Sequence, residues 1–118
     1  MEESLDAVMS IDRIVHEPSR LTILVVLDAC VKADFKYLQS ATGLSKSNLS
    51  LHLSKLEEHG LIEIERVFER KTPRTWARAS KAGKAAMREY WSRMDKARGA
   101  KKWLSKLGRI LRLKPSAE

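Results

Sequence analysis

Two sets of side chains are of types that engage polyanions. The first lies on a helical stretch at residues 45–59. Leu49, Leu53 and Leu56 recur at i, i+4 and i+7 and form one inward stripe. The opposite face then presents Lys46, Ser47, Ser50, Leu51, Ser54 and Lys55, with Asn48 in the first turn. Short hydroxyl side chains let a helix approach base edges and phosphates closely, and Leu51 is suited to a thymine methyl. Lys46, near the helix start, suits a phosphate or a guanine. The second set is Arg70, Lys71 and Arg74 in the polar connection 69–74 between two alternating segments, with Arg66 and Arg78 on the segments themselves. Arginines on such a tip suit the narrow minor groove, which focuses negative potential. A solvated, lysine-rich surface is the plainer reading of either set.

The charge distribution favours a polyanionic partner. Over 118 residues, 23 Lys and Arg face 15 Asp and Glu, a net charge of +8. The asymmetry is larger than the sum. Residues 1–65 hold 6 basic and 11 acidic side chains, whereas residues 66–118 hold 17 and 4. Residues 96–118 alone hold 8 basic and 1 acidic. A basic half points to nucleic acid or to a membrane surface.

Other chemistries find no residues. No glycine-rich phosphate loop, paired carboxylates or serine or cysteine nucleophile with an identifiable base is present, so no enzyme is expected. Glu57 and Glu58, near Lys55, read as surface charge. The one cysteine, Cys30, sits in an apolar run and reads as an inert core residue; it excludes an internal disulfide and a cysteine zinc site. His16, His52 and His59 have no matching carboxylate spacing, so neither metal nor other cofactor is expected. His16 and His59 read as structural, and His52 as a phosphate donor or a half-buried spacer. No apolar run approaches the roughly 20 residues a bilayer needs. The N-terminus is acidic, unlike a secretion signal, which suggests a cytoplasmic protein.

The elements that must position these groups follow from periodicity and punctuation. Residues 5–15 carry apolar side chains at helical spacing. Pro18 opens a second helix, apolar nearly all round through Val31 and so expected at the centre. Phe35, Tyr37, Leu38 and Ala41 suggest a short third helix stopped by Gly43; Lys36, near its start, cannot accept a capping bond. Ser45 caps the fourth and Gly60 ends it. Leu61–Arg66 and Thr75–Ala79 alternate as two strands of a hairpin, with Trp76 expected in the core beneath it. Ser80 caps a long helix through Met94, and Gly99 is expected to interrupt it. A basic amphipathic stretch follows from Lys101 to Leu113, ended by Pro115. Trp103, Leu104, Leu107, Ile110 and Leu111 form its apolar stripe, and Lys101, Lys102, Lys106, Arg109 and Arg112 its other side.

This order predicts a mainly α chain with a small β-hairpin: a winged helix-turn-helix with extra N- and C-terminal helices. Residues 1–98 would form the domain and 99–118 a basic tail. The run His16–Leu21, then Gly43-Leu44-Ser45, Asn48-Leu49-Ser50, His52-Leu53, Leu56-Glu57, Gly60-Leu61 and Ser80–Gly83, resembles winged-helix transcriptional regulators of the MarR/ArsR kind. It is most similar to small stand-alone winged-helix DNA-binding proteins, over about residues 8–94. Four features depart from the family. Leu38-Gln39-Ser40 stands where metal-sensing members carry a cysteine motif, Leu51 where a basic residue is frequent, Lys36 near the place of a frequent capping residue, and the tail after Met94 matches nothing in the family.

The resemblance implies a homodimer that binds double-stranded DNA, usually as a repressor, with helix 45–59 in the major groove. The expected DNA contacts are Lys46, Ser47, Asn48, Ser50, Leu51, His52, Ser54, Lys55, Arg66, Arg70, Lys71 and Arg74. Leu5, Val8, Met9, Met87, Tyr90, Trp91 and Met94 would supply the dimer interface. An interaction module is the alternative, using the wing for protein and residues 101–114 for an anionic membrane or a protein.

Overall fold

The structure is a computed structural model that describes residues 2–111, with side chains from residue 5. Its elements run α1 (Glu2–Met9), α2 (Pro18–Ala29), β1 (Ala33–Asp34), α3 (Phe35–Thr42), α4 (Lys46–Glu58), β2 (Ile62–Glu69), β3 (Thr72–Ala79) and α5 (Lys81–Ile110). The chain divides into two compact units: residues 12–88, and residues 1–11 with 89–118.

In the larger unit, α2 packs against α3, α4 and β3. Ile23, Leu24 and Leu27 of α2, Leu38 of α3 and the stripe Leu49, Leu53 and Leu56 of α4 are buried around it. The apolar run of α2 is not enclosed on all sides, however. Val25 stays 44% exposed and Cys30 half-buried. Pro18 occupies the first turn as expected, and the Glu17 carboxylate caps it by accepting from the Arg20 N–H at 2.8 Å.

The sheet is antiparallel with order β1-β3-β2. Its third strand, β1, is two residues long and pairs Ala33 with Ala77 and Asp34 with Trp76. The hairpin is longer than its alternation suggested. Ile62 opposes Ala79 and the register continues unbroken to Glu69 opposite Thr72. Only Arg70 and Lys71 form the turn, both left-handed at φ 49° and 63°.

The base of the hairpin is closed by Ser80. Its hydroxyl donates to the Gly60 carbonyl at 2.6 Å and accepts from the Gly83 N–H at 2.9 Å. Its own N–H donates to the Leu61 carbonyl at 3.0 Å. Gly83 is required here, because a Cβ at that position would lie 1.9 Å from the Leu61 carbonyl oxygen.

In the smaller unit, α1 ends at Met9 rather than continuing to residue 15. The Ser10 hydroxyl donates back to the Asp6 carbonyl at 2.7 Å; in the larger unit, Asp12 then folds a turn by accepting from the Ile14 N–H at 2.8 Å. Ala7, Tyr90 and Ala100 are buried, and Arg93 donates to the Ser10 hydroxyl. Helix α5 passes through Gly99 and Gly108 without interruption. A helical glycine costs about 1 kcal/mol relative to alanine, too little to break a helix of 30 residues. Trp103, Leu104, Ile110 and Leu111 of the tail stripe are 43 to 69% exposed, with Leu107 half-buried. Arg112, Leu113 and Pro115 lie outside the described residues.

Candidate nucleic-acid interface

Helix α4 is set by its two ends. Gly43, at φ 73°, turns the chain out of α3, and the Ser45 hydroxyl accepts from the Asn48 N–H at 3.2 Å. Gly60, at φ 71°, turns the chain toward β2. With its leucine stripe buried, α4 exposes Lys46, Ser47, Asn48, Ser50, Ser54 and Lys55 together, and Leu51 is 64% exposed. This is the outward face expected from the sequence. Glu57 and Glu58 are likewise exposed.

His52 is not on that face. It is half-buried, with Nδ1 3.4 Å from an Arg20 guanidinium nitrogen and 3.8 Å from the Glu17 carboxylate. Arg20 itself donates to the Ile14 carbonyl at 2.7 Å. The cluster joins the middle of α4 to the start of α2. Burial works to raise the Glu17 carboxyl, but the Arg20 N–H and the nearby His52 and Arg20 charges hold it below its ordinary value. His59 closes the far end of α4, its Nδ1 3.0 Å from the Lys55 carbonyl.

A groove of about 770 Å³ separates the starts of α3 and α4 from the wing. Lys36, Lys46, Ser50, Arg70, Pro73 and Thr75 are among its lining. Of the two sets singled out by type, Lys46 and Ser50 of the first and Arg70 and Arg74 of the second therefore line one cleft, with cations on both walls and the carboxylates of Asp34 and Glu69 beside Arg74.

The wing cations fall into two groups. Arg70, Lys71 and Arg66 are exposed. Arg74, expected at the tip, lies within β3 and is bound on both sides. It donates to Glu69 Oε2 and to Asp34 Oδ2, each at 2.9 Å. Arg78 is paired with Glu63 at 3.0 Å. The Tyr37 N–H, and with it the Arg74 guanidinium, hold the Asp34 carboxyl below the ordinary carboxylate value. Arg74 and then the Trp76 indole do the same for Glu69, and both carboxylates raise Arg74.

Trp76 does not enter the core. It shares the outer face of the sheet with Arg74 and Arg78, while Ala77 and Ala79 point inward. Its indole N–H donates to Glu69 at 3.3 Å. Lys32 lies 4.3 Å and Arg74 4.9 Å from its ring centre.

Asp34 and Glu69, which hold Arg74, are positions that sequence reasoning did not single out. The signal for Asp34 was an acidic residue three before Tyr37, an ordinary N-cap spacing. Of the side chains assigned to a dimer interface, Leu5, Val8, Met9 and Trp91 are exposed and Met94 is half-buried. Met87 and Tyr90 are buried within the single chain, at 2% and 4% exposure. Among the described residues, no group of three or more His, Cys, Asp or Glu could hold a metal ion. Nor is any described helix long and apolar enough to cross a membrane.

Comparison with known proteins gives a consistent picture. A family model described as a winged helix DNA-binding domain matches residues 19–97. An uncharacterized protein of Methanocaldococcus jannaschii is 30% identical over 78 residues, 66% of this chain and 85% of that protein. The structure of a transcriptional regulator homologue from Pyrococcus horikoshii superposes with a TM-score of 0.75 at 28% identity, covering 83% of this chain and 96% of that one. A MarR-family transcriptional regulator from Silicibacter pomeroyi shares the fold, with a TM-score of 0.59 at 17% identity over 99% of this chain and 86% of that one.

Proposed function

Because the chain belongs to the family of winged helix DNA-binding domains, we propose that it is a dimeric transcriptional repressor that reads duplex DNA with α4. Helix α4 enters the major groove, and the Arg70–Lys71 turn reaches the adjacent minor groove or its phosphates. The observation that carries this reading is the groove shared by Lys46 and Ser50 on α4 with Arg70 on the wing. In this reading Arg66, Arg70, Lys71, Lys46 and Lys55 meet the DNA. Ser47, Asn48, Ser50, Leu51 and Ser54 approach base edges, and His52 acts by fixing α4 rather than by touching a phosphate. The test is retention of the full chain on duplex DNA across a salt series. Affinity should fall steeply, with a log–log slope of about −0.9 per phosphate contacted. A flat response would sink the proposal.

The dimer would form through Leu5, Val8, Met9, Trp91 and Met94; the burial of Met87 and Tyr90 leaves them a supporting role. Single apolar residues on a surface are ordinary, but here Leu5, Val8, Met9 and Trp91 and the tail's Trp103, Leu104, Ile110 and Leu111 are all exposed within one compact unit. We place the tail stripe in the same dimer, leaving Lys101, Lys102, Lys106 and Arg109 free for DNA beside the site. Deleting residues 99–118 should then weaken dimerisation and DNA affinity together. Loss of binding to anionic vesicles, with both of those unchanged, would instead make the tail a membrane contact.

A further inference from the structure

Phe68 is an exposed aromatic in a place that no core accounts for. It is 72% exposed near the end of β2. Ile62 and Ile64 of the same strand face the core. Side chains alternate along an unbroken register, so Arg66 and Phe68 continue that face beyond the core's edge. Their partners on β3 are Thr75 and Pro73, and both of these line the groove shared with Lys46 and Ser50. Pro73 lies where β3 has β2 on one side only, the setting in which a strand tolerates proline. Phe68 and Pro73 are thus an exposed apolar cross-strand pair on the wing, with Pro73 at the edge of that groove. Arg66 precedes the pair and the Arg70–Lys71 turn follows it.

We infer that Phe68, backed by Pro73, is a wedge that enters the minor groove beside the site read by α4, partly unstacks one base step and bends the duplex. The inference rests on the DNA-binding reading above. Phenylalanine and proline are side chains that insert between base steps, and such insertions kink DNA. The cations on either side suit a polyanion. A single ring and a pyrrolidine offer far less than the roughly 800 Å² per partner of a stable protein interface. The wing is also braced against the load of insertion, because Arg74 ties it to Asp34 at the start of α3 and to Glu69.

The test uses the full chain and a duplex recovered by in vitro selection, labelled at its ends with a donor–acceptor pair and carrying 2-aminopurine at successive flanking steps. The parent should shorten the end-to-end distance and raise 2-aminopurine emission at a flanking step. Phe68→Ala should lose both signals and bind about tenfold more weakly, with the salt slope unchanged because no phosphate contact is removed. Phe68→Leu should keep part of both. Parent-level bending and emission in Phe68→Ala, the result for a patch that serves a protein partner, would overturn the wedge alone. A parent that binds no duplex at all overturns the DNA reading and the wedge with it.

Discussion

Asp34 and Arg74 meet at 2.9 Å, and the same Asp34 carboxylate accepts the Tyr37 N–H at 2.8 Å. One oxygen caps α3, the first helix of the helix-turn-helix, and the other holds the wing. Arg74 therefore ties the wing to the helix-turn-helix, and under the proposed function it orients the wing. Arg74→Ala should weaken DNA binding roughly two- to fivefold while changing the salt slope by much less than one contact's worth. Arg74→Lys should fall between, since an ammonium lacks the planar, spaced donors with which the guanidinium reaches both carboxylates. A double-mutant cycle with Asp34→Asn, which keeps the cap acceptor, should show coupling. Additive effects would detach the two residues functionally.

The same contacts make the wing sensitive to acid. Asp34 and Glu69 both titrate below their ordinary values of 3.8 and 4.5. A carboxyl lowered in the folded state contributes stability that is fully present above its unfolded value. That stability is lost as pH falls toward the folded one. The Trp76 indole NMR signal, whose N–H donates to Glu69, should therefore hold steady down to about pH 5 and shift below it. In Arg74→Ala the shift should begin at higher pH. An unmoved onset would contradict the assigned cause.

Ser50 lies on the outward face of α4 and lines the groove. Ser50→Glu places a charge against phosphates and base edges while leaving the leucine stripe alone. Specific binding should be abolished with the unfolding midpoint nearly unchanged. The site bound by the parent should consist of two half-sites about 10 bp, or about 34 Å, apart. Parent-level binding by Ser50→Glu would remove α4 as the reader.

The two turn residues are both cationic and both strained. Arg70 and Lys71 both adopt positive φ, which costs a non-glycine residue on the order of 1 kcal/mol or more. Replacing the pair with Asn-Gly should raise stability by about 1 kcal/mol. Loss of two phosphate contacts per subunit should also lower the salt slope by roughly 3 to 4 per dimer. A more stable variant with an unaltered slope would place the turn away from the DNA.

Two glycines should respond in opposite directions. At Gly83 an added Cβ meets backbone at 1.9 Å, so Gly83→Ala should destabilise by about 3 kcal/mol. At Gly99 the space is open and the backbone helical, so Gly99→Ala should stabilise by up to about 1 kcal/mol. Urea midpoints should move accordingly at constant m.

Helix α4 was legible because three signals agreed: Ser45 at its start, the leucine stripe within it and Gly60 after it. Strand β1 was not, since two residues carry no period. The outward turn of Trp76 was encoded but outweighed by its size. It shares parity with Arg78, and the alternate positions are Ala77 and Ala79, so alternation alone set it on the outer face. At Gly99 a modest propensity penalty was given the weight of a stop signal. At Arg74 the sequence showed a cation near a turn, but its carboxylate partner Asp34 lies far away along the chain.

The pairing of β1 with β3 also bears on the order of folding. The hairpin β2–β3 joins neighbouring segments through a two-residue turn, so its closure is local and fast. The contacts of Ala33 with Ala77 and Asp34 with Trp76 span the whole of α3, α4 and β2, and only two residues reward that closure. The chain that forms the helix-turn-helix is thus a loop whose two ends are fastened to opposite edges of one strand. Its first fastening should be the last contact made during folding and the first released on local opening, with the Arg74–Asp34 bond leaving alongside it.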